Sequence, residues 1–268
     1  MKKELYSIDN LKTLFGLIDL TSLNSTDTEE KIINMCLKVN GFNKQYPDIP
    51  NVAAICIYPS LVEIVRKNLN APGVKIVSVS AGFPSSQTFT EIKKRETMMA
   101  LEAGADEIDI VISLGKFLSG REKEVSSEIY QIKKTMGDHS LKVILETGAL
   151  NPNQISKASI LAMESGADFI KTSTGKLQPA ATTEAFMIMA ESIRDFATKT
   201  GRKTGIKPAG GISTGVQAIN YLEIIKKVLG ENWITSNLFR IGASSLANNL
   251  LKEISQLKNP EKEAVSYF

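Results

Sequence analysis

Two lysines stand at the ends of short apolar runs, Lys171 in Phe169-Ile170-Lys171-Thr172-Ser173-Thr174-Gly175-Lys176 and Lys207 in Gly205-Ile206-Lys207-Pro208-Ala209-Gly210-Gly211. A third run, Glu107-Ile108-Asp109-Ile110, alternates carboxylates with isoleucines. Read as an extended strand, it puts Glu107 and Asp109 on one face and the isoleucines on the other. A lysine in an apolar interior is costly unless it is paired or used. The use is chemical: an amine beside a second cation in a partly apolar pocket sheds its proton more readily and can attack a carbonyl. A carbinolamine and then an imine result, an electron sink for breaking or forming a C–C bond. Asp109 is the nearest group for moving protons. The same residues also suit a Lys–Asp–Lys salt-bridge network that plugs a barrel interior, and spacing leaves both readings open.

Three glycine-bearing stretches follow consecutive strand candidates: Gly175-Lys176, Gly210-Gly211, and Gly242-Ala243-Ser244-Ser245, the last opening a helix. Glycines let backbone N–H groups converge on an anion, and a helix N-terminus favours negative charge. Ser244 or Ser245 taken alone reads as an ordinary helix cap, but three such loops at one rim favour a phosphate site.

The rest of the composition narrows the chemistry. The chain has 268 residues, 43% hydrophobic and 23% charged, with a net charge of +3, too small to argue for a nucleic-acid or membrane surface. The longest apolar run, 52–58, is seven residues, too short to span a bilayer, and the N-terminus lacks the apolar core of a signal peptide. Cys36 and Cys56 cannot make a disulfide framework or a zinc knuckle. The single histidine, His139, sits in a polar Gly-Asp-His-Ser loop, which excludes multi-histidine metal sites and a Ser-His-Asp triad. No Gly-x-Gly occurs, and Gly115-x₄-Gly120 is followed by Arg121-Glu122, so the nucleotide fingerprints are absent. Lysines, carboxylates and hydroxyls must carry any catalysis.

Positioning these groups falls to eight β-branched runs at 17–19, 52–57, 76–79, 107–112, 142–146, 169–172, 204–207 and 239–242, each followed by a helix-competent stretch. Helical core spacing shows in Ile155, Ala158 and Ala162, and again in Leu246, Leu250 and Ile254. Gly104-Ala105-Asp106 and Gly166-Ala167-Asp168 introduce two strands alike, the echo of a repeated unit. With no linker dividing the chain, the pattern predicts a single-domain α/β fold, a TIM (β/α)₈ barrel over 1–258, with an open sheet as the alternative. The tail, 259–268, lacks periodicity and is expected to be mobile.

The sequence resembles the deoxyribose-phosphate aldolases, class I aldolases built on a TIM barrel. Seven blocks carry the likeness in order: Leu17-Ile18-Asp19-Leu20-Thr21, Ala53 to Pro59, Gly104 to Asp109, Lys142 to Gly148, Phe169 to Lys176, Lys207 to Gly211, and Phe239 to Ser245. The resemblance implies that Lys171 forms the Schiff base, that Lys207 is the second lysine keeping its amine reactive, and that Asp109 donates and accepts protons through water. It implies reversible cleavage of 2-deoxy-D-ribose 5-phosphate to acetaldehyde and D-glyceraldehyde 3-phosphate, with no cofactor and no metal. Thr174, Gly175, Lys176, Gly210, Gly211, Gly242, Ser244 and Ser245 match phosphate-loop and substrate positions, and Asp19 and Thr21 match polar positions near the substrate hydroxyls. The implied setting is cytoplasmic, in deoxyribonucleotide catabolism, for a monomer or homodimer without nucleic-acid or membrane partners.

Three features depart from the family pattern. Ser213 stands where relatives carry a basic residue, which predicts a looser hold on phosphate. Tyr267, a candidate proton relay on the tail, is followed by Phe268, and the block from Val79 to Pro84 suggests altered acceptor specificity. Other residues read as structural: Cys36 and Cys56 as small hydrophobes; Met98, Met99, Met187 and Met189 as core filler; Trp233 as core or interface; and Lys93-Lys94-Arg95 as a solvated helix face. Lys142 and Glu146 are expected near the site in an orienting role. The competing functions are a related Schiff-base aldolase with another acceptor and a non-catalytic barrel that binds sugar phosphates.

Overall fold

A computed structural model describes residues 5–260 and 266–268. Eight strands form one parallel sheet: β1 (Ile18–Thr21), β2 (Ala54–Ile57), β3 (Lys75–Val79), β4 (Glu107–Val111), β5 (Ser140–Ile144), β6 (Phe169–Lys171), β7 (Gly205–Lys207) and β8 (Ile241–Ala243). From β1 to β7 each strand pairs with the next, and β1 also pairs with β8. Between β7 and β8 only two isolated bridges occur, Ile206 with Phe239 and Ala209 with Gly242, and they close the barrel. The helices outside it are α1 (Ile8–Phe15), α2 (Glu29–Gln45), α3 (Val62–Asn68), α4 (Thr90–Glu102), α5 (Leu114–Leu118), α6 (Glu122–Met136), α7 (Pro152–Glu164), α8 (Thr183–Thr200), α9 (Gly215–Val228) and α10 (Leu246–Lys258). This is the expected TIM barrel.

Local chemistry sets the element ends. Asn151 with Gln154 and Thr214 with Gln217 form capping boxes that start α7 and α9. Residues such as Ile55, Ile108, Val143, Ile170 and Ile206 are buried in the main core between strands and helices. Inside the barrel the composition splits. Leu23, Ala54, Cys56, Val77 and Val79 make a small apolar cluster with Tyr58 and Phe83, whereas Asp19, Glu107, Asp109, Lys142, Lys171, Lys207 and Arg240 make a charged one.

Two expectations about helix faces are corrected. Lys93 is fully buried rather than solvated: its ammonium donates to Ser86 Oγ (2.7 Å), Ser113 Oγ (2.8 Å) and Glu128 Oε1 (2.7 Å). The buried face of α4 is therefore Lys93, Thr97 and Ala100, and Met98 and Met99 turn to solvent instead of filling the core. Met189 and Cys36 are buried, and Trp233 is buried with its indole N–H donating to the Thr204 carbonyl at 3.1 Å. Of the tail, 261–265 lies outside the described residues. Tyr267 and Phe268 lie against Phe42, and Asn248 Oδ1 accepts from both of their backbone N–H groups at 2.8 Å.

Candidate active site

Strand register brings the chemistry to one level. Lys171 on β6 pairs with Lys207 on β7, Asp109 on β4 pairs with Lys142 on β5, and Asp19 on β1 pairs with Gly242 on β8. Lys171 Nζ donates to Asp109 Oδ2 at 2.8 Å, and Lys207 Nζ donates to the same oxygen at 2.9 Å. Two ammonium groups therefore share one acceptor, and the lysines that end adjacent strands do point into one space. Lys207 and Asp109 are wholly buried; Lys171 keeps 3% exposure and lines a cavity of about 380 Å³ at the C-terminal end of the barrel. The reachable amine is that of Lys171.

Beneath the cavity the charges are tightly partnered. Lys207 also donates to Asp19 Oδ2 at 2.5 Å, and Arg240 donates to Asp19 Oδ1 at 2.6 Å and to Glu107 Oε1 at 2.9 Å. Lys142 donates to Glu107 Oε2 at 2.5 Å and stands 3.2 Å from Asp109 Oδ1. That Asp109 oxygen is buried and accepts no hydrogen bond, so Lys142 meets it as an ion pair only. Burial alone would raise the Asp109 carboxyl, but Lys171, Lys207 and Lys142 hold it well below the usual carboxylate range. Asp19 is held low in the same way, against its own burial, by Lys207 and Arg240. Conversely, burial would lower the Lys207 ammonium, but Asp109 and Asp19 raise it above the ordinary lysine value, so it remains a cation.

The rim carries the anion-binding features. Thr21, Thr174, Gly175, Lys176, Gly210, Gly211, Gly242, Ser244 and Ser245 all line the cavity with Lys171. Gly210 has φ +86°, and a Cβ there would come within 2.7 Å of Ala180 Cβ, so glycine is required by both backbone and space. Ser245 precedes α10 and makes no side-chain cap, and it lines the cavity with Ser244, so the start of that helix lies at the rim. Lys176 reaches across the mouth and donates to the Leu23 carbonyl at 2.6 Å. Glu146, at φ +57°, accepts from Thr174 N at 3.0 Å and Thr174 Oγ1 at 2.5 Å, an orienting role. Ser213 also lines the cavity, its hydroxyl 3.4 Å from Gln217 Oε1.

Asp19, Asp109 and Lys207 lie below the rim rather than on it. Tyr267 is brought to neither place: its hydroxyl donates to the Lys38 carbonyl on α2 at 2.7 Å. The residue that sequence reasoning passed over is Arg240. Its signal was an arginine flanked by Phe239 and Ile241 in a strand run, where one face must receive a guanidinium.

The sequence model of the DeoC/LacD family of aldolases matches residues 13–246. The deoxyribose-phosphate aldolase of Mus musculus is 40% identical over 266 residues, covering 95% of this chain and 83% of that protein. Among solved structures, the tetrameric deoxyribose phosphate aldolase of Aeropyrum pernix is 25% identical, with a TM-score of 0.67 over 95% of this chain and 93% of that one. A structure from Toxoplasma gondii ME49, 22% identical, shares the fold with a TM-score of 0.84 over 98% of this chain and all of that one (100%).

Proposed function

The chain belongs to the DeoC/LacD family of aldolases, and on that premise we propose that it is a lyase that cleaves 2-deoxy-D-ribose 5-phosphate through an imine on Lys171. The observation that carries this is the shared Asp109 oxygen: two lysines converge on it directly below a cavity rimmed by three glycine loops. In the cleavage direction, the neutral Lys171 amine adds to the C1 aldehyde, the carbinolamine takes up a proton from solvent, and water leaves, giving a protonated imine. The C3 hydroxyl then loses its proton, the C2–C3 bond breaks, and its electron pair moves toward the imine nitrogen to form an enamine. D-Glyceraldehyde 3-phosphate departs. Protonation of the enamine carbon and hydrolysis release acetaldehyde and regenerate the amine.

Asp109, through water, is the group suited to these proton transfers, and its contact with the Lys171 amine at 2.8 Å supports that role. Lys207, kept cationic by Asp19 and Asp109, opposes a second positive charge on Lys171. The rim N–H groups of the three loops, the start of α10 and Lys176 would receive the phosphate, with Thr21 and Thr174 beside the sugar. The imine supplies the electron sink, so the reaction needs neither metal nor cofactor. We place the enzyme in the cytoplasm, in deoxyribonucleotide and carbohydrate breakdown, acting on small sugar phosphates and aldehydes as a monomer or homodimer. Its modest +3 charge gives no ground for a nucleic-acid or membrane surface. Among the described residues no helix is long and apolar enough to cross a membrane. Ser213 supports a second reading, an aldolase less strict about the acceptor's phosphate.

Borohydride reduction in the presence of acetaldehyde, followed by peptide mass spectrometry, tests the mechanism. A reduced two-carbon adduct on Lys171 is expected. A folded protein with no adduct on any interior lysine would remove the imine mechanism.

A further inference from the structure

The interior charges form a closed circuit. From Arg240 the contacts run to Asp19 (2.6 Å), Lys207 (2.5 Å), Asp109 (2.9 Å), Lys142 (3.2 Å) and Glu107 (2.5 Å), and from Glu107 back to Arg240 (2.9 Å). Signs alternate at every step, and three cations balance three carboxylates. Lys171 is attached to this ring only through Asp109, and it is the seventh charge in a set that is neutral without it.

We propose that Arg240 and Glu107 are positioning residues for the aldol reaction: by closing the ring on its far side they keep Lys207 and Lys142 paired as cations and leave Lys171 as the interior lysine whose proton departs without unbalancing the barrel. The proposal rests on Lys171 being the imine-forming residue. Neither Arg240 nor Glu107 lines the cavity over Lys171, so they act through the charges between. A buried ring with one cation too many is unfavourable, and releasing one proton from Lys171 removes the excess.

The other titratable groups around Lys171 do not supply this balance. Cys56 on β2 is a thiol pushed up by burial, Glu146 beyond β5 is engaged with Thr174, and Lys176 is turned to the Leu23 carbonyl at the rim. On the opposite side, Glu107 borders a surface cleft with Lys75, Asp106, Asp138 and His139. The ring therefore runs from the catalytic end of the barrel to its other end.

The test is the pH dependence of reductive trapping by acetaldehyde and cyanoborohydride, read at Lys171 by mass spectrometry. Glu107→Gln makes the interior one charge more positive, and the acidic limb of the profile moves to lower pH. Arg240→Met makes it one charge more negative, and the limb moves to higher pH. Each shift is on the order of one pH unit, the scale set by one nearby buried charge. The double variant is neutral again and returns the limb to its wild-type place. His139→Asn is the control that keeps the imidazole's own titration out of the comparison. Limbs that stay put, or move the same way in both single variants, overturn the proposal, as does trapping shared with Lys142 or Lys207 in the wild type. If one single variant does not fold, the other with the double variant decides: a shift in the first and none in the second. A wild type that is not trapped at Lys171 at all refutes the proposed mechanism instead.

Discussion

Lys171 and Lys207 look equivalent in the sequence, yet their surroundings differ in a measurable way. Lys207 bridges Asp19 and Asp109, both wholly buried, whereas Lys171 touches Asp109 alone and reaches the cavity. Removing Lys207 takes one cation from each of two buried carboxylates, and breaking a buried pair in this way costs about 3–5 kcal/mol. Lys207→Leu should therefore lower the urea midpoint clearly and reduce kcat/KM on the order of 10²–10⁴-fold. Lys171→Leu should abolish turnover and trapping while shifting the midpoint far less; a fully active Lys171 variant would contradict the mechanism. Both lysines and Asp109 were legible because each ends or lines a short strand, where the alternation of side chains assigns a face. Arg240 was not, since its partners Asp19 and Glu107 lie more than a hundred residues away and only the closed barrel brings them together.

At the level of elements, strands were read more securely than helix faces. Strands of a parallel sheet covered by helices are apolar on the outer side, and the eight runs stood out for that reason. Their ends moved slightly: the last strand was expected at 239–242 and pairs at Ile241–Ala243, because Phe239 makes only an isolated bridge. On α4 a run of three cations hid a buried one. Lys93 falls on the face of Thr97 and Ala100, four and seven positions on, while Lys94 faces out toward Glu91. Lys93→Met should accordingly destabilise the protein by about 3–5 kcal/mol through the loss of the Glu128 partner. Lys94→Met should stay within about 0.5 kcal/mol. Equal urea midpoints for the two variants would show that the Lys93 network contributes nothing.

For the molecule as a whole, the buried ring sets a pH window of stability. The folded Asp19 and Asp109 carboxyls lie below their unfolded values near 3.9, so their contribution is present above that pH and is lost as pH falls through the lower folded values. Lys207 and Lys142 lie above the ordinary lysine value near 10.4, so theirs is present below that pH and is lost as pH rises through the higher folded values. The urea midpoint should therefore be nearly flat from about pH 5 to 9, falling only outside it. A steady decline between neutrality and pH 9 would place the decisive charges elsewhere. Fold class and barrel were legible from eight repeated units, but the manner of closure was not, since two isolated bridges leave no mark in the sequence. Lys207 on β7 reaches past β8 to Asp19 on β1, and Arg240, just ahead of β8, grips the same carboxylate. The cylinder is thus buckled at its thinnest backbone seam by groups that also serve the reaction. A lineage that abandoned the chemistry and let these charges drift would unclasp there first, and could keep its shape only by acquiring another fastening.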